Sequence, residues 1–452
     1  MVTNSTKSIR QITEDSPLET DVQAVLERLA AISPTPAVPI LTVTLDWRPE
    51  GTHPGSAPPD DGEPELKRSQ RRNAPQPETD TVRRPARVVL DQELKRLVDA
   101  HGPRGDIFES VRADVERISR YLDQELDPSA HGVVIVACSA QGMFEAVPLA
   151  LPVATSIKLG ALPALSELAR VEDDYPTYAV LLADQHDATL SFVTHATTHE
   201  RVELQSTDYP RRQQQGGWSQ RRFQARAEER VEAFARDIAE ETRKALDGLR
   251  VDMLILAGDE VITSALDASF HQTVKDRIIG TLRLDIRTGE PELLEATLPV
   301  AAQAAREREA ASVQRLRDAI GAGEYGAGGA EDVLAALQAG QVENLVMADD
   351  FQGMGWADFA FPVYGVGDRP ATHPLGGDCA DIVAVNLREA LTYLALTTGA
   401  KIDIIHSAAP VPGDEPESDA ERDLVESRLP PASALDELGG VGAVLRFSMD
   451  QE

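Results

Sequence analysis

Cysteine is almost absent from this chain: Cys138 and Cys379 are the only two in 452 residues. Two thiols exclude a disulfide framework and any multi-cysteine zinc module. Long apolar runs are missing as well, since nothing approaches the roughly 20 residues that a membrane span needs. The opening stretch, MVTNSTKSIRQITEDSPLE, has no apolar core of signal-peptide length. The expectation is a soluble, cytoplasmic protein with no membrane partner. Positive charge is scarce, with 44 Lys and Arg against 75 Asp and Glu and a formal net charge of −31. Such a body repels phosphate as a whole, which argues against a non-specific nucleic-acid coat, against DNA and against anionic lipid. Hydrophobic residues reach 42 %, within the globular range. A chain of this length holds two to four domains, at roughly 100–200 residues each.

The chemical motifs that would identify a common enzyme are missing too. There is no G-x-x-x-x-G-K-[ST] and hence no P-loop. Gly321-Ala322-Gly323-Glu324-Tyr325-Gly326 has the spacing G-x-G-x-x-G, but a dinucleotide site needs a strand before the glycines and a helix after them. Here they follow a helical pattern, so the stretch reads as a linker. His195 and His199 lie four apart with no H-E-x-x-H nearby, and Cys379 offers one sulfur beside Asp378 and Asp381, so no metal site is expected. No cofactor is expected either. The seven acids between 414 and 426 read as a solvated loop.

Hydrophobic periodicity organises the remainder into an α/β multi-domain chain. Helical spacing over 21–32 precedes an alternating strand at 40–45, and residues 51–85, rich in Pro, Gly and charge, form a flexible insertion. Helices follow at 88–100 and 108–126, then a continuous apolar strand at 132–137; this first α/β domain spans 1–172. In the second, 173–322, strands at 178–183 and 188–193 flank Asp184-Gln185-His186-Asp187 as a hairpin, and a third strand follows at about 201–205. A long helix with Phe223, Ala227, Val231, Phe234, Ile238 and Leu246 at helical spacing comes next. Strands at 251–257 and 278–285 and a helix at 299–320 complete a mixed sheet covered by helices. The third domain, 323–452, alternates helix (332–338), strand (343–347), helix (381–398) and strand (401–405), and closes on a strand at 443–447. It reads as a small α/β/α sandwich.

One segment reverses the sign of the whole chain. Residues 211–226, RRQQQGGWSQRRFQAR, carry five arginines (Arg211, Arg212, Arg221, Arg222 and Arg226) and no acid. An element entering a phosphate-lined pocket needs that reversal. Gly216-Gly217 permits backbone conformations closed to other residues and an approach without a Cβ in the way. Trp218 offers a stacking surface, and the arginines can pair with phosphates bidentately. The plainer alternative is an exposed hairpin loop with charged, solubilising flanks.

Here the sequence resembles the archaeal and eukaryotic class-I peptide-chain release factor superfamily, and within it the bacterial and archaeal branch that includes Vms-like peptidyl-tRNA hydrolases and Balon-like hibernation factors. The family loop reads Gly-Gly-Gln, then Ser, then Arg-Phe before a long helix. This chain reads Gly216-Gly217-Trp218-Ser219-Gln220-Arg221-Arg222-Phe223. The ending at 439–447, GGVGAVLRF, is similar to the family's closing GGIGAILRY, and 331–350 is similar to the entry of its third domain. The two anchors cover roughly 175–452, while the first domain matches weakly through 132–147.

The resemblance implies an N-terminal α/β domain, an RNase-H-like middle domain with a protruding Gly-Gly loop, and a C-terminal domain of the kink-turn-RNA-binding ribosomal-protein type. It implies as partners the ribosome, through large-subunit rRNA and peptidyl-tRNA, and leaves a translational GTPase open as a further one. The activity implied is hydrolysis of the peptidyl-tRNA ester at the peptidyl-transferase centre, with Gly216, Gly217 and Gln220 as catalytic candidates. Arg211, Arg212, Trp218, Ser219, Arg221, Arg222 and Arg226 are the RNA-binding candidates. A backbone N–H in such a turn can stabilise charge developing on the ester carbonyl or position the attacking water. Two departures stand out. Trp218 occupies the place of the family glutamine, with Gln220 two residues later, and the stop-codon elements are missing from the first domain. The expected role is therefore ribosome rescue without stop-codon specificity; a non-catalytic hibernation factor occupying the A site is the alternative.

Overall fold

Apolar residues alternate or run continuously according to whether one or both faces of a sheet are covered, and the strands of this chain are largely of the second kind. The computed structural model describes residues 22–35, 38–49, 84–100, 105–149, 151–194, 197–204, 220–249, 251–323, 325–406 and 431–447. For residues 100, 106, 197–204 and 220–228 it describes the backbone alone. The insertion expected at 51–85 and the acidic run at 414–426 fall outside these residues, apart from Arg84 and Pro85.

The first sheet is antiparallel. It is built from β1 (Ile40–Asp46), β2 (Gly132–Cys138), β3 (Met143–Leu149) and β4 (Ser156–Gly160) in the order β3-β2-β1-β4. Side chains of successive residues point to opposite faces, so Leu41, Val43, Leu45, Val133, Ile135 and Ala137 meet α2 (Pro85–Ala100) and α3 (Asp106–Gln124). Ile40, Val134, Val136 and Cys138 meet α1 (Val22–Ala30) and α4 (Ser166–Asp174) on the other face. Cys138 is thus a core thiol, as its place after a buried strand suggested. On that second face Thr42 and Thr44 are also buried, and each has a partner: the Thr42 hydroxyl accepts from Ala164 N–H at 3.0 Å and the Thr44 hydroxyl donates to the Ala154 carbonyl at 2.7 Å.

The middle sheet has the order β7-β6-β5-β8-β9, from β5 (Tyr178–Ala183), β6 (Ala188–Thr194), β7 (Thr197–Leu204), β8 (Leu254–Gly258) and β9 (Ile278–Leu282). The β5–β6 turn is the expected hairpin, closed by Asp184 N–H to the Asp187 carbonyl at 2.9 Å, with the Asp184 carboxylate accepting from His186 and Asp187 N–H at 2.7 Å each. β8 and β9 then join in parallel, which makes the sheet mixed. One face carries α5 (Gln220–Leu249), α6 (Glu260–Ser269) and the single turn α7 (Gln272–Lys275). The other is covered by Leu293, Ala301 and Ala304 of α8 (Glu290–Ala322).

Helix α8 starts nine residues earlier than helical spacing suggested and keeps Pro299 inside it. Its later turns place Val313 and Leu316 in a different core. That core belongs to β10 (Gly326–Gly328), β11 (Val342–Ala348), β15 (Lys401–Ile405) and β16 (Val441–Leu445), ordered β10-β16-β11-β15. It is packed by α9 (Ala330–Gln338), α10 (Leu387–Thr398) and α11 (Pro431–Asp436). The linker reading is corrected: Gly321 lies in the last turn of α8, Gly323 at φ 78 caps it and Gly326 opens β10, while Val313 and Leu316 of α8 already pack in the last sheet's core, so the glycines turn the chain within that unit and do not separate it from the one before.

Two further expectations are corrected here. The helix expected over 381–398 begins only at Leu387, where the Asn386 side chain caps the Glu389 N–H, and Val383–Asn386 form β14 instead. β14 pairs with β12 (Met354–Asp358), and with β13 (Val363–Val366) it makes a separate three-stranded sheet that periodicity did not reveal. β-branched Val383 and Val385, satisfied by a strand partner, outweigh the helical reading. The strand expected over 278–285 stops at Leu282, and Asp285 turns the chain by accepting from Arg287 N–H at 2.9 Å.

The glycines of the closing motif have separate geometric causes. Gly440 stands at φ 79, with Phe351 Cδ2 3.3 Å from where a Cβ would be. A Cβ on Gly442 would lie 2.5 Å from Leu316 Cδ2 and 3.2 Å from the Ala327 carbonyl oxygen. Gly440→Ala should cost about 1–2 kcal/mol, the strain of a left-handed residue, read as a lower midpoint in chemical denaturation. An unchanged midpoint would mean that this turn relaxes freely.

Candidate functional site

The arginine-flanked loop joins the edge of a sheet to the start of a helix. β7 ends at Leu204, α5 begins at Gln220, and the intervening residues lie outside the described chain. Arg211, Arg212, Gly216, Gly217, Trp218 and Ser219 are therefore candidates whose placement is not described. Gln220, Arg221, Arg222 and Arg226 occupy the first two turns of α5. Among the described residues β7 is the outermost strand of its sheet and pairs with β6.

α5 extends over 30 residues, or roughly 45 Å at 1.5 Å per residue. Val231, Phe234, Ala235, Ile238, Ala239, Ala245 and Leu246 recur at helical spacing and are buried against the middle sheet. Fixing the helix through these turns fixes the direction from which the loop is presented. The first turn contains no acid. The unpaired N–H groups of a helix N-terminus and its macrodipole favour Asp or Glu in the first turn, where this sequence has Arg221 and Arg222.

Further along α5 a cleft of about 560 Å³ is lined by Arg236, Glu240, Arg243 and Asp247, with His271 and Arg277 from the opposite wall. Arg243 bonds Glu240 at 2.9 Å and Asp247 at 3.0 Å, and Arg277 bonds Asp247 at 2.9 Å. The acids already engage two of its three arginines, so it is a mixed-charge surface and not a catalytic constellation. Among the described residues no cluster of His, Cys, Asp and Glu could hold a metal ion, and no helix is long and apolar enough to cross a membrane.

The segment that brackets the loop is also the one that matches known proteins. Over that segment the chain is similar to the archaeo-eukaryotic release factors, in their bacterial branch. The matching family is bacterial archaeo-eukaryotic release factor family 10, over residues 163–302. A peptide chain release factor subunit 1 from Methanopyrus kandleri is 27 % identical over 197 residues, covering 42 % of this chain and 47 % of the relative. The chain thus spans about half the length of the curated relative that it matches. Among solved structures, archaeal translation termination factor aRF1 aligns over 98 % of this chain and 99 % of its own, at 16 % identity and a TM-score of 0.22. Dom34 of S. cerevisiae, a translation termination-like factor, aligns over 71 % and 80 %, at 11 % identity and a TM-score of 0.36.

The acid-free first turn of α5 has a measurable consequence. Arg222→Glu should stabilise the isolated protein by about 0.3–1 kcal/mol at low salt, seen as a raised melting temperature, and the gain should fade as salt screens it. A lowered melting temperature at low salt would show that the arginine is held by an acid elsewhere in the fold.

Proposed function

We propose that this protein is a ribosome-associated, release-factor-like rescue factor that hydrolyses the peptidyl-tRNA ester at the peptidyl-transferase centre without reading a stop codon. The observation that carries the reading is the position of Gly216-Gly217 and Gln220. They lie inside the family-matched segment, Gly216-Gly217 between the end of β7 and the start of α5 and Gln220 as the first residue of that 30-residue helix, whose first turn holds no acid. A chain of net charge −31 that concentrates arginine at that one place can dock into an RNA-lined cavity while its body stays free of RNA elsewhere.

In this reading the domains are residues 1–172, 173–322 and 323–452. The middle one is RNase-H-like, and the last is of the kink-turn-RNA-binding ribosomal-protein type. Gly216 and Gly217 shape the loop, and Gln220 orients water or the ester beside a backbone N–H. Arg211, Arg212, Arg221, Arg222 and Arg226 pair with rRNA or tRNA phosphates, Trp218 stacks on a base, and Ser219 contacts RNA. Ribosome binding puts the protein in the cytoplasm. Support for a ribosomal partner comes from the relatives: a release factor subunit is similar over 197 residues, and a ribosome-bound archaeal Pelota with ABCE1 is among the aligned structures.

A second reading, a hibernation factor that occupies the A site without releasing peptide, is favoured by one feature. Trp218 stands where the family loop has its glutamine. Mixing the protein with stalled ribosomes carrying labelled peptidyl-tRNA separates the two. Hydrolysis predicts peptide release by the wild type that falls by at least about tenfold in Gly217→Val and Gln220→Ala, with binding retained. Binding with no release by the wild type would establish the second reading, and failure to co-sediment with ribosomes at moderate salt would end both.

A further inference from the structure

The first and last sheets are joined by an exchange of carboxylates. α4, which covers the first sheet, has Leu165 at its N-cap, a residue that cannot accept a hydrogen bond through its side chain. Glu389 of α10 supplies the missing acceptor: its carboxylate takes Ser166 N–H at 3.0 Å and the Ser166 hydroxyl at 2.7 Å, and it pairs with Lys158 at 3.0 Å. At the other end of the same helix the roles reverse. Among the described residues β15 is the outer strand of its sheet, and its outer edge presents the N–H groups of Ile404 and His406. Asp173 of α4 accepts from Ile404 N–H at 2.7 Å, and Glu309 of α8 accepts from His406 N–H at 3.2 Å. The His406 ring lies 3.1 Å from Asp174 and 3.2 Å from Glu309. Tyr393 of α10 adds a hydroxyl bond to the Ile32 carbonyl at 3.0 Å.

We propose that this junction is a proton-binding latch: it holds the first unit against the edge of β15 and loosens as pH rises, freeing that edge. The charged groups facing it come from three elements. α4 contributes Arg170, Asp173 and Asp174; α8 contributes Arg308 and Glu309; β15 and its end contribute Lys401, Asp403 and His406. Asp403 is buried, which works to raise its carboxyl, but Lys401 at 2.7 Å, Ser312 and Asn344 outweigh burial and hold it below the usual carboxylate range. The carboxylate of Asp403 therefore stands beside Asp173. Burial first, and then that neighbouring charge, push Asp173 up to about 7, against the Ile404 N–H, Arg308 and Lys401. Asp174 and Glu309 raise His406 to about 10.

Both groups bind protons more tightly in the closed arrangement than when separated. An acid raised from 3.8 to about 7 stabilises the closed form fully below its separated value, and that stabilisation is lost as pH rises toward 7. A histidine raised from 6.5 to about 10 loses its contribution between those values, so the two windows run in the same direction.

Amide hydrogen exchange over 401–406 and 166–175, corrected for the intrinsic pH dependence, reads the opening directly in the intact chain. The opening equilibrium should rise about tenfold per pH unit between pH 5 and 7, since one proton is released on opening. Asp173→Asn keeps an oxygen for Ile404 N–H but cannot ionise, so it should flatten that slope while leaving the slope above pH 7. A flat wild-type profile between pH 5 and 7 would overturn the latch, as would an Asp173→Asn profile identical to wild type. Should Asp173→Asn fail to fold, His406→Gln provides the complementary arm, flattening the profile above pH 7 and sparing it below; an unchanged profile there also overturns the proposal.

Discussion

Helix α8 contributes buried residues to two cores, that of the middle sheet and that of the last. Leu293, Ala301 and Ala304 lie on the middle sheet, whereas Val313 and Leu316 lie under the last, and Leu316 fits the space left by Gly442. An uninterrupted helix transmits orientation across its roughly 50 Å, so the two sheets cannot reorient independently without bending it. The same helix supplies Glu309 and Ser312 to the polar junction at β15. Packing, connection and the interface with the first sheet therefore depend on one rod.

The buried polar chemistry sits mainly where units meet. In the first sheet, burial is almost wholly apolar, and Thr42 and Thr44 satisfy themselves locally. Between units, by contrast, Glu389 and Asp173 supply acceptors that a helix end and a sheet edge would otherwise lack. A carboxylate removed from water needs such bonds to offset its desolvation, so these contacts specify one arrangement more than they add raw stability. The small sheet of β12, β13 and β14 follows the same economy of buried polar groups. His373 and Asp358 are both buried and lie 2.9 Å apart, while His373 Nδ1 accepts from Leu375 N–H at 3.1 Å. Both ring nitrogens are engaged, which makes the pair a structural tie for its loop.

The presented end of α5 has the opposite character. Its buried turns are apolar and fixed, and its first turn carries arginine and no acid. The net charge of −31 sharpens the contrast with this arginine-rich stretch.

Much of this was legible in residue order. Strands with alternating or continuous apolar runs, the Asp184 turn, the long α5 and the arginine-flanked glycines each announce themselves through local periodicity or turn chemistry, which depend on neighbours a few residues apart. The resemblance to release factors was legible for the same reason, since the loop that carries it is short and contiguous and lies inside the matched segment. What the sequence could not disclose is pairing across distance. Val383–Asn386 becomes a strand because Met354–Asp358 lies beside it. Asp173 and Glu389, 216 positions apart, look like ordinary surface acids until α4 is seen bonded to both neighbours. Local spacing determined the elements and the candidate loop; only tertiary contact decided which charges are buried together, because electrostatic environment is set by what packs nearby and not by what precedes in the chain.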